Sequence, residues 1–325
     1  EDQMDWVDTI TANPRVLCAG GAGTGKTFLA MELARRWTAA GKQVLLACKS
    51  AWLRRYLETR FAIPGLTVAV VDNVRTATRR TGRELFDALI VDEGQDLFDL
   101  ESLDLLERSL RGGFSEGSWC IFHDTNNQAE LVGRTDPEAY RYLLELAPAR
   151  VSLRTNCRNT LAILESVQEE TGADMGVRGI GAGPKVRRYQ ARTPEESAER
   201  LGEEIETLLD DGGLSPGHVT ILSPHPFPES SAALLPEQTR RMVQILDEYA
   251  LRSFPPSRPS FARIASFKGL ENEAVIVVDL PEPSRGTQNL LAQHYVAMSR
   301  PRAVLSLITS PADHHRMHSG FQPPP

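Results

Sequence analysis

Gly20-Gly21-Ala22-Gly23-Thr24-Gly25-Lys26-Thr27 is the stretch whose reading decides the fold. It satisfies G-x-x-x-x-G-K-[ST] in full, directly after an apolar run (15–19) and at the start of an amphipathic one (27–39). The glycines let main-chain N–H groups wrap phosphate oxygens without interference from Cβ, and a helix N-terminus adds positive potential. The pattern predicts ATP cradled by Gly21, Ala22, Gly23, Thr24 and Gly25. Lys26 would lie on the β/γ-phosphates and the Thr27 hydroxyl on Mg²⁺.

The complement is Leu89-Ile90-Val91-Asp92-Glu93, whose Asp92 stands 65 residues beyond Thr27. An apolar strand ending in adjacent acids sets two carboxylates at the carboxyl edge of a parallel sheet, where ligands bind. Asp92 suits Mg²⁺ and Glu93 suits polarising an attacking water, so ATP hydrolysis is the expected chemistry. Around this pair, apolar runs at 15–19, 43–47, 66–71, 88–91 and 119–123 alternate with amphipathic stretches such as 27–39 and 51–60. A second series follows at 149–153, 186–189, 219–222, 262–266, 275–278 and 303–308. Continuous apolar strands separated by helices predict α/β units with parallel sheets covered on both faces. We expect two domains, 1–148 and 149–325, with ATP·Mg²⁺ in the cleft between them. Seven of the 21 prolines fall in 224–259, which predicts irregular backbone there around at most one helix, at 237–249. The tail 322–325 is expected to be disordered.

Composition narrows the setting. The 325 residues are 41% hydrophobic and 24% charged with a formal net charge of −7, enough chain for about two globular cores. Residues 1–150 carry 18 basic against 22 acidic side chains, and the remainder 18 against 21, so any nucleic-acid binding must use local patches. No apolar run spans a membrane and no secretory leader is visible. Cys18, Cys48, Cys120 and Cys157 form no C-x-x-C pair, which fits a reducing, cytoplasmic setting. The first residue is Glu, from which we expect an excised piece with flanking domains missing. His314, His315 and His318 lack a partner Cys and do not predict a metal site.

Asp92-Glu93-Gly94-Gln95-Asp96 resembles the D-E-x-Q-D signature of superfamily 1 helicases, in the UvrD/Rep-like branch, and further motifs match in order over roughly residues 3 to 308. The resemblance implies two RecA-like P-loop NTPase domains and a motor driven by ATP and Mg²⁺ on single-stranded nucleic acid, DNA favoured. It implies that Gln3 reads adenine and that Gln128, after Phe122-His123-Asp124, senses the γ-phosphate, although the Asp-to-Gln spacing is one residue longer than the family's. Leu153-Arg154-Thr155-Asn156-Cys157-Arg158-Asn159-Thr160 resembles L-x-x-N-Y-R-N-T, making Arg158 an arginine finger. Lys268-Gly269-Leu270-Glu271 resembles K-G-L-E, with Gly269 near the γ-phosphate and Glu271 near the ribose. Tyr295-Val296-Ala297-Met298-Ser299-Arg300 resembles Y-V-A-x-[ST]-R, with Arg300 as second finger. Both fingers are expected from the second domain. Asn156, Ser266 and Lys268 are expected to touch the strand.

The departures weigh on function. Cys157 stands where the family has an adenine-stacking ring, and Ala129 to Arg134 supply no aromatic to stack on single-stranded DNA. Only 106 residues separate Thr160 from Ser266, leaving no room for large inserted subdomains. Similar compact cores occur fused to nuclease-related domains, so a fused or partner nuclease is implied. Lys49, Arg54 and Arg55 could meet phosphates and Trp52 or Tyr56 could stack on bases; equally, 51–57 reads as an amphipathic helix whose arginines are solvated. Arg75, Arg79, Arg80 and Arg83 form a second basic cluster or a solvated loop. Two functions stay open: a helicase-type ATPase translocating on single-stranded DNA, and an ATP-dependent switch that gates a larger protein without translocating. A small-molecule kinase leaves the motifs beyond residue 150 unexplained.

Overall fold

The structure, a computed structural model, describes residues 2–82, 84–126, 136–283 and 287–310, with side chains of the first helix described from Trp6 onward. It contains two six-stranded sheets in which every ladder is parallel. In chain order the first unit runs α1 (Asp2–Thr11), β1 (Arg15–Gly20), α2 (Lys26–Ala39), β2 (Val44–Cys48), α3 (Ala51–Arg60), β3 (Leu66–Val70) and α4 (Val74–Thr81). It continues with β4 (Ala88–Val91), α5 (Leu100–Glu107), α6 (Gly113–Glu116), β5 (Ser118–His123), α7 (Pro137–Glu145) and β6 (Ala149–Leu153). Its strand order is β3-β2-β4-β5-β1-β6. Thus β5 lies between β1, which feeds the phosphate loop, and β4, which delivers Asp92.

Alternation along the strands explains why this sheet is covered on both sides. Val16, Cys18, Val44, Leu46, Ile90 and Cys120 enter one apolar cluster with α2, while Leu17, Leu45, Leu89, Val91 and Trp119 enter the other with α5. A period of two with both sets apolar is the mark of a buried parallel sheet.

The second unit comprises α8 (Leu161–Thr171), β7 (Arg187–Gln190), α9 (Pro194–Glu206), β8 (Val219–Ser223), α10 (Glu237–Met242), β9 (Gln244–Ile245), β10 (Ser260–Arg263), β11 (Asn272–Pro281), α11 (Gln288–Met298) and β12 (Pro301–Ser310). Its order is β7-β12-β11-β8-β10-β9. Its core gathers Leu201 and Ile205 of α9 with Val219, Ile221, Phe261, Ile276 and Ile308 of the sheet. Among the described residues no helix is long and apolar enough to cross a membrane.

Three expectations are corrected. The division does not fall at 148: β6 pairs with β1, Val16 opposite Ala149 through Gly20 opposite Leu153, so it closes the first sheet rather than opening the second. The first unit is Glu1–Arg158 with Asp174–Gly179, and the second is Asn159–Ala173 with Ile180–Pro325. The helix expected at 237–249 stops at Met242, because Val243 turns extended and β9 then pairs with β10, the Leu246 N–H donating to Phe261 O at 2.9 Å. The strand expected at 262–266 lies at Ser260–Arg263, where Ser260 faces Thr220 of β8 with their hydroxyls 2.9 Å apart. The tail 322–325 lies outside the described residues.

Two glycines of the second unit should respond oppositely to alanine. A Cβ at Gly217 would stand 1.7 Å from Pro256 O, whereas one at Gly202, inside α9, would meet nothing nearer than Leu235 Cδ2 at 3.6 Å. We expect Gly217→Ala to cost about 2–3 kcal/mol through overpacking. Gly202→Ala should add about 0.5–1 kcal/mol of helix propensity. Urea unfolding of both variants checks the pair.

Candidate active site

The phosphate loop follows the buried strand β1 and ends where α2 begins. Gly25 caps that helix at φ 90°, and no side chain caps its first amides, which leaves an anion-binding end. Lys26 is only 7% exposed, and its ammonium turns back onto the loop, donating to Gly20 O and Gly21 O at 2.8 Å each. Asp124 Oδ2, from the loop after β5, stands 3.8 Å from the same nitrogen. The charge is therefore held ready by weak acceptors that phosphate oxygens can replace.

Asp92 is fully buried at the end of β4, and the Thr27 hydroxyl donates to its Oδ2 at 2.8 Å. Burial pushes the Asp92 carboxyl up to about 6, Glu93's neighbouring charge adds to the rise, and Thr27 and Lys26 pull it back. A carboxylate raised this way gains from a cation. The donor set, one carboxylate and one hydroxyl at a phosphate loop, fits Mg²⁺, which takes few protein oxygens and completes its shell with phosphates and water. Among the described residues no group of three or more His, Cys, Asp and Glu forms a dedicated cage.

Glu93 sits at φ 55°, a left-handed conformation uncommon for a residue with Cβ and characteristic of functional turns. Its Oε2 accepts from Gln95 Nε2 at 2.6 Å, and Gln95 Oε1 accepts from the Asp124 N–H at 2.9 Å. Gln95 thus ties the loop after β4 to the loop after β5, orienting the carboxylate expected to polarise water. Sequence reasoning assigned no roles to Gln95, Asp124 and Asn126, because each acts through a partner brought close by the sheet. The one signal that could have found Gln95 is the D-E-x-Q-D spacing itself.

The other expected residues divide by position. Asn156, expected on the strand of nucleic acid, is 1% exposed; its Nδ2 donates to Ala22 O at 2.9 Å and to Met175 O at 3.2 Å. The Cys157 N–H donates to Gly23 O at 2.9 Å, so this segment buttresses the phosphate loop. Arg158, expected from the second domain, belongs to the first unit, its N–H donating to Asn156 Oδ1 at 3.0 Å. Gln128, and the side chain of Gln3 in α1, lie outside the described residues, as do Arg83 and the three tail histidines.

In the second unit, Gly269 takes φ 83°, Glu271 lies 4.0 Å from Arg302, and Ser266 is half-buried. Lys268, also expected on nucleic acid, is 2% exposed and part of the interior. Arg300 is equally buried: Nε donates to Val296 O at 2.9 Å, Nη2 to Ser299 Oγ at 2.8 Å, and Nη1 to Leu270 O at 3.4 Å.

Three basic residues in and just before α3 face carboxylates of the protein itself. Arg54 and Arg55 lie 2.7 and 3.8 Å from Glu58, and Lys49 lies 3.0 Å from Asp72. Leu53 and Leu57 are buried while Trp52 and Tyr56 are half-buried, which is the amphipathic-helix pattern. On α4, by contrast, Arg75, Arg79 and Arg80 are all exposed.

Residues 1–167, a little over half of the chain, match the model of a family described as AAA domain. Among solved structures the chain is similar to the PRRSV helicase (TM-score 0.46, 14% identity, 97% of this chain and 56% of that one). It is similar also to arterivirus nonstructural protein 10, a helicase (TM-score 0.48, 14% identity, 95% of this chain and 62% of that one). The chain therefore spans less than two thirds of the length of either. No curated protein matches it.

Two measurements probe this geometry. Lys26→Ala and Glu93→Gln should each lower ATP turnover by more than about 10²-fold, read by phosphate release. His123, packed edge-on against Phe98 and Tyr140, is pushed down to about 4 by burial, with Lys26's charge adding to the effect. Its neutral form is the folded one, so the stability it contributes is complete above pH 6.5 and is lost as pH falls towards 4. That loss should amount to roughly 3 kcal/mol. Asp92, shifted upwards, works in the opposite sense over an overlapping range, so the comparison must be between variants. His123→Phe should flatten the acid limb of urea-measured stability relative to the parent.

Proposed function

This chain belongs to the AAA domain family, and from that premise we propose that it is an ATP-hydrolysing motor core of superfamily 1 helicase type, in the UvrD/Rep-like branch, acting on single-stranded nucleic acid, with DNA the favoured strand. The observation that carries the ATPase reading is the 2.8 Å bond from Thr27 to Asp92, made past the intervening strand β5 with Glu93 beside it. In this reading the loop amides and Lys26 grip the triphosphate, and Glu93, aimed by Gln95, takes the proton of the attacking water. Mg²⁺, held by Thr27 and Asp92, supplies charge neutralisation on the phosphate oxygens when bound. Arg158 and Arg300 serve as the arginines that meet charge developing on the transferred phosphoryl group. For Arg300 this means giving up its long bond to Leu270 O.

Support for a nucleic-acid partner rests on α4, whose Arg75, Arg79 and Arg80 are exposed beyond the carboxyl end of β3. A second reading, an ATP-dependent switch within a larger, nuclease-bearing protein, is favoured by a specific observation. Lys49, Arg54 and Arg55 have carboxylates nearby, and Asn156 and Lys268 are buried. ATP turnover with and without poly-dT across a salt series separates the two. A translocase is stimulated, with DNA affinity falling steeply as salt rises, whereas turnover indifferent to DNA at low salt selects the switch. Replacing Arg75, Arg79 and Arg80 by alanine should reduce the slope of log affinity against log salt by about 1 for each of these arginines that neutralises a phosphate.

A further inference from the structure

Residues 174–179 belong to the first unit, yet the chain on either side of them, 159–173 and from 180 onward, belongs to the second. This short return lies directly on the phosphate loop. A Cβ at Gly21 would stand 2.5 Å from Asp174 O and 2.7 Å from Met175 Cα, so the two backbones are in contact. Two asparagines fasten it. Asn126 forms a reciprocal pair with the Asp174 backbone, Nδ2 donating to Asp174 O at 2.8 Å and Oδ1 accepting from the Asp174 N–H at 3.0 Å. Asn156 Nδ2 joins Ala22 O to Met175 O. A parallel bridge between Thr155 and Val177 completes the seat, with the Asn156 N–H donating to Val177 O and the Val177 N–H to Arg154 O.

The same Asn126 reaches the chemistry. Its N–H and Nδ2 donate to Asp124 Oδ1 at 2.8 and 3.0 Å, Asp124 Oδ2 faces Lys26, and the Asp124 N–H leads through Gln95 to Glu93. Hydrogen bonds thus connect the phosphate-binding lysine and the hydrolytic carboxylate to a piece of chain whose two ends continue into the other unit. We propose that residues 174–179 are a nucleotide-responsive strap, and that Asn126 and Asn156 are positioning residues fastening it to the phosphate loop. The inference rests on the ATPase reading above. Phosphates that draw Lys26 off Gly20 O, Gly21 O and Asp124 change the loop against which the strap is seated, and the strap carries that change along the chain towards α8.

Hydrogen exchange with Mg²⁺ and ATPγS tests this on the whole chain. In the parent, saturating ATPγS should slow exchange of the amides of 174–178 by at least about threefold while those of β8 stay unchanged. Asn126→Ala, which removes both side-chain ties, and Asn126→Asp, which replaces the Nδ2 donors by an oxygen facing Asp124 Oδ1 and Asp174 O, should both abolish that response. Either should lower kcat about tenfold with the KM for ATP nearly constant, because the phosphate ligands remain. Either variant keeping the ATPγS response at 174–178, or keeping the parental kcat, overturns the proposal; a merely structural loss would instead raise exchange in β8 as well or move KM along with kcat. Asn156→Ala should give a related loss, less than additive with Asn126→Ala because both ties hold one strap. ATPγS binding with no change at 174–178 overturns the strap and leaves the ATPase reading standing. Failure of the parent to bind ATPγS overturns both.

Discussion

An ammonium group almost excluded from solvent is the constraint around which the first unit is organised. Lys26 must find acceptors inside the protein, and it finds two carbonyls of its own loop at 2.8 Å and a carboxylate at 3.8 Å. That requires the loop to curl back over the helix start, and it requires β5 to sit beside β1 so that Asp124 comes within range. A buried unpaired charge is costly, but a charge held by acceptors slightly too weak or too distant is poised to move. A triphosphate offers stronger ones.

The acidic side of the site is built on the converse principle. Asp92 is fully buried beside Glu93, so its ionisation is disfavoured, and further positive charge would relieve it. The hydroxyl of Thr27 keeps its orientation fixed meanwhile. Glu93 is constrained by its left-handed backbone and by Gln95. Basic and acidic halves are each held short of full balance in a complementary way, and the magnesium nucleotide proposed above would answer both.

What was legible in the sequence was whatever the chain fixes locally. The loop from Gly20 to Thr27, the acids after β4 and the strand-helix alternation all depend on near neighbours. Partner choice at a distance was not legible. Residues 149–153 read as a strand from their composition, but only the ladder to β1 shows which sheet they join. Lys268 and Asn156 look like solvent-facing polar groups in sequence, whereas burial gives both interior places. The arginines of α3 were ambiguous between phosphate contacts and a solvated helix face; Glu58, one turn away, favours the latter. Asn126 finds its main partner 48 residues along the chain, beyond the reach of any spacing rule.

The path of the backbone has a practical corollary. It passes from one unit to the other at 158/159, returns at 173/174 and leaves again at 179/180. No single scission can divide the polypeptide into two intact halves. A fragment ending at Arg158 would lack the six residues that cover Gly21, and one beginning at Asn159 would carry them as an unmoored loop. The nucleotide-binding half is thus a composite of non-contiguous sequence, and recombining it with other modules requires transplanting both pieces together.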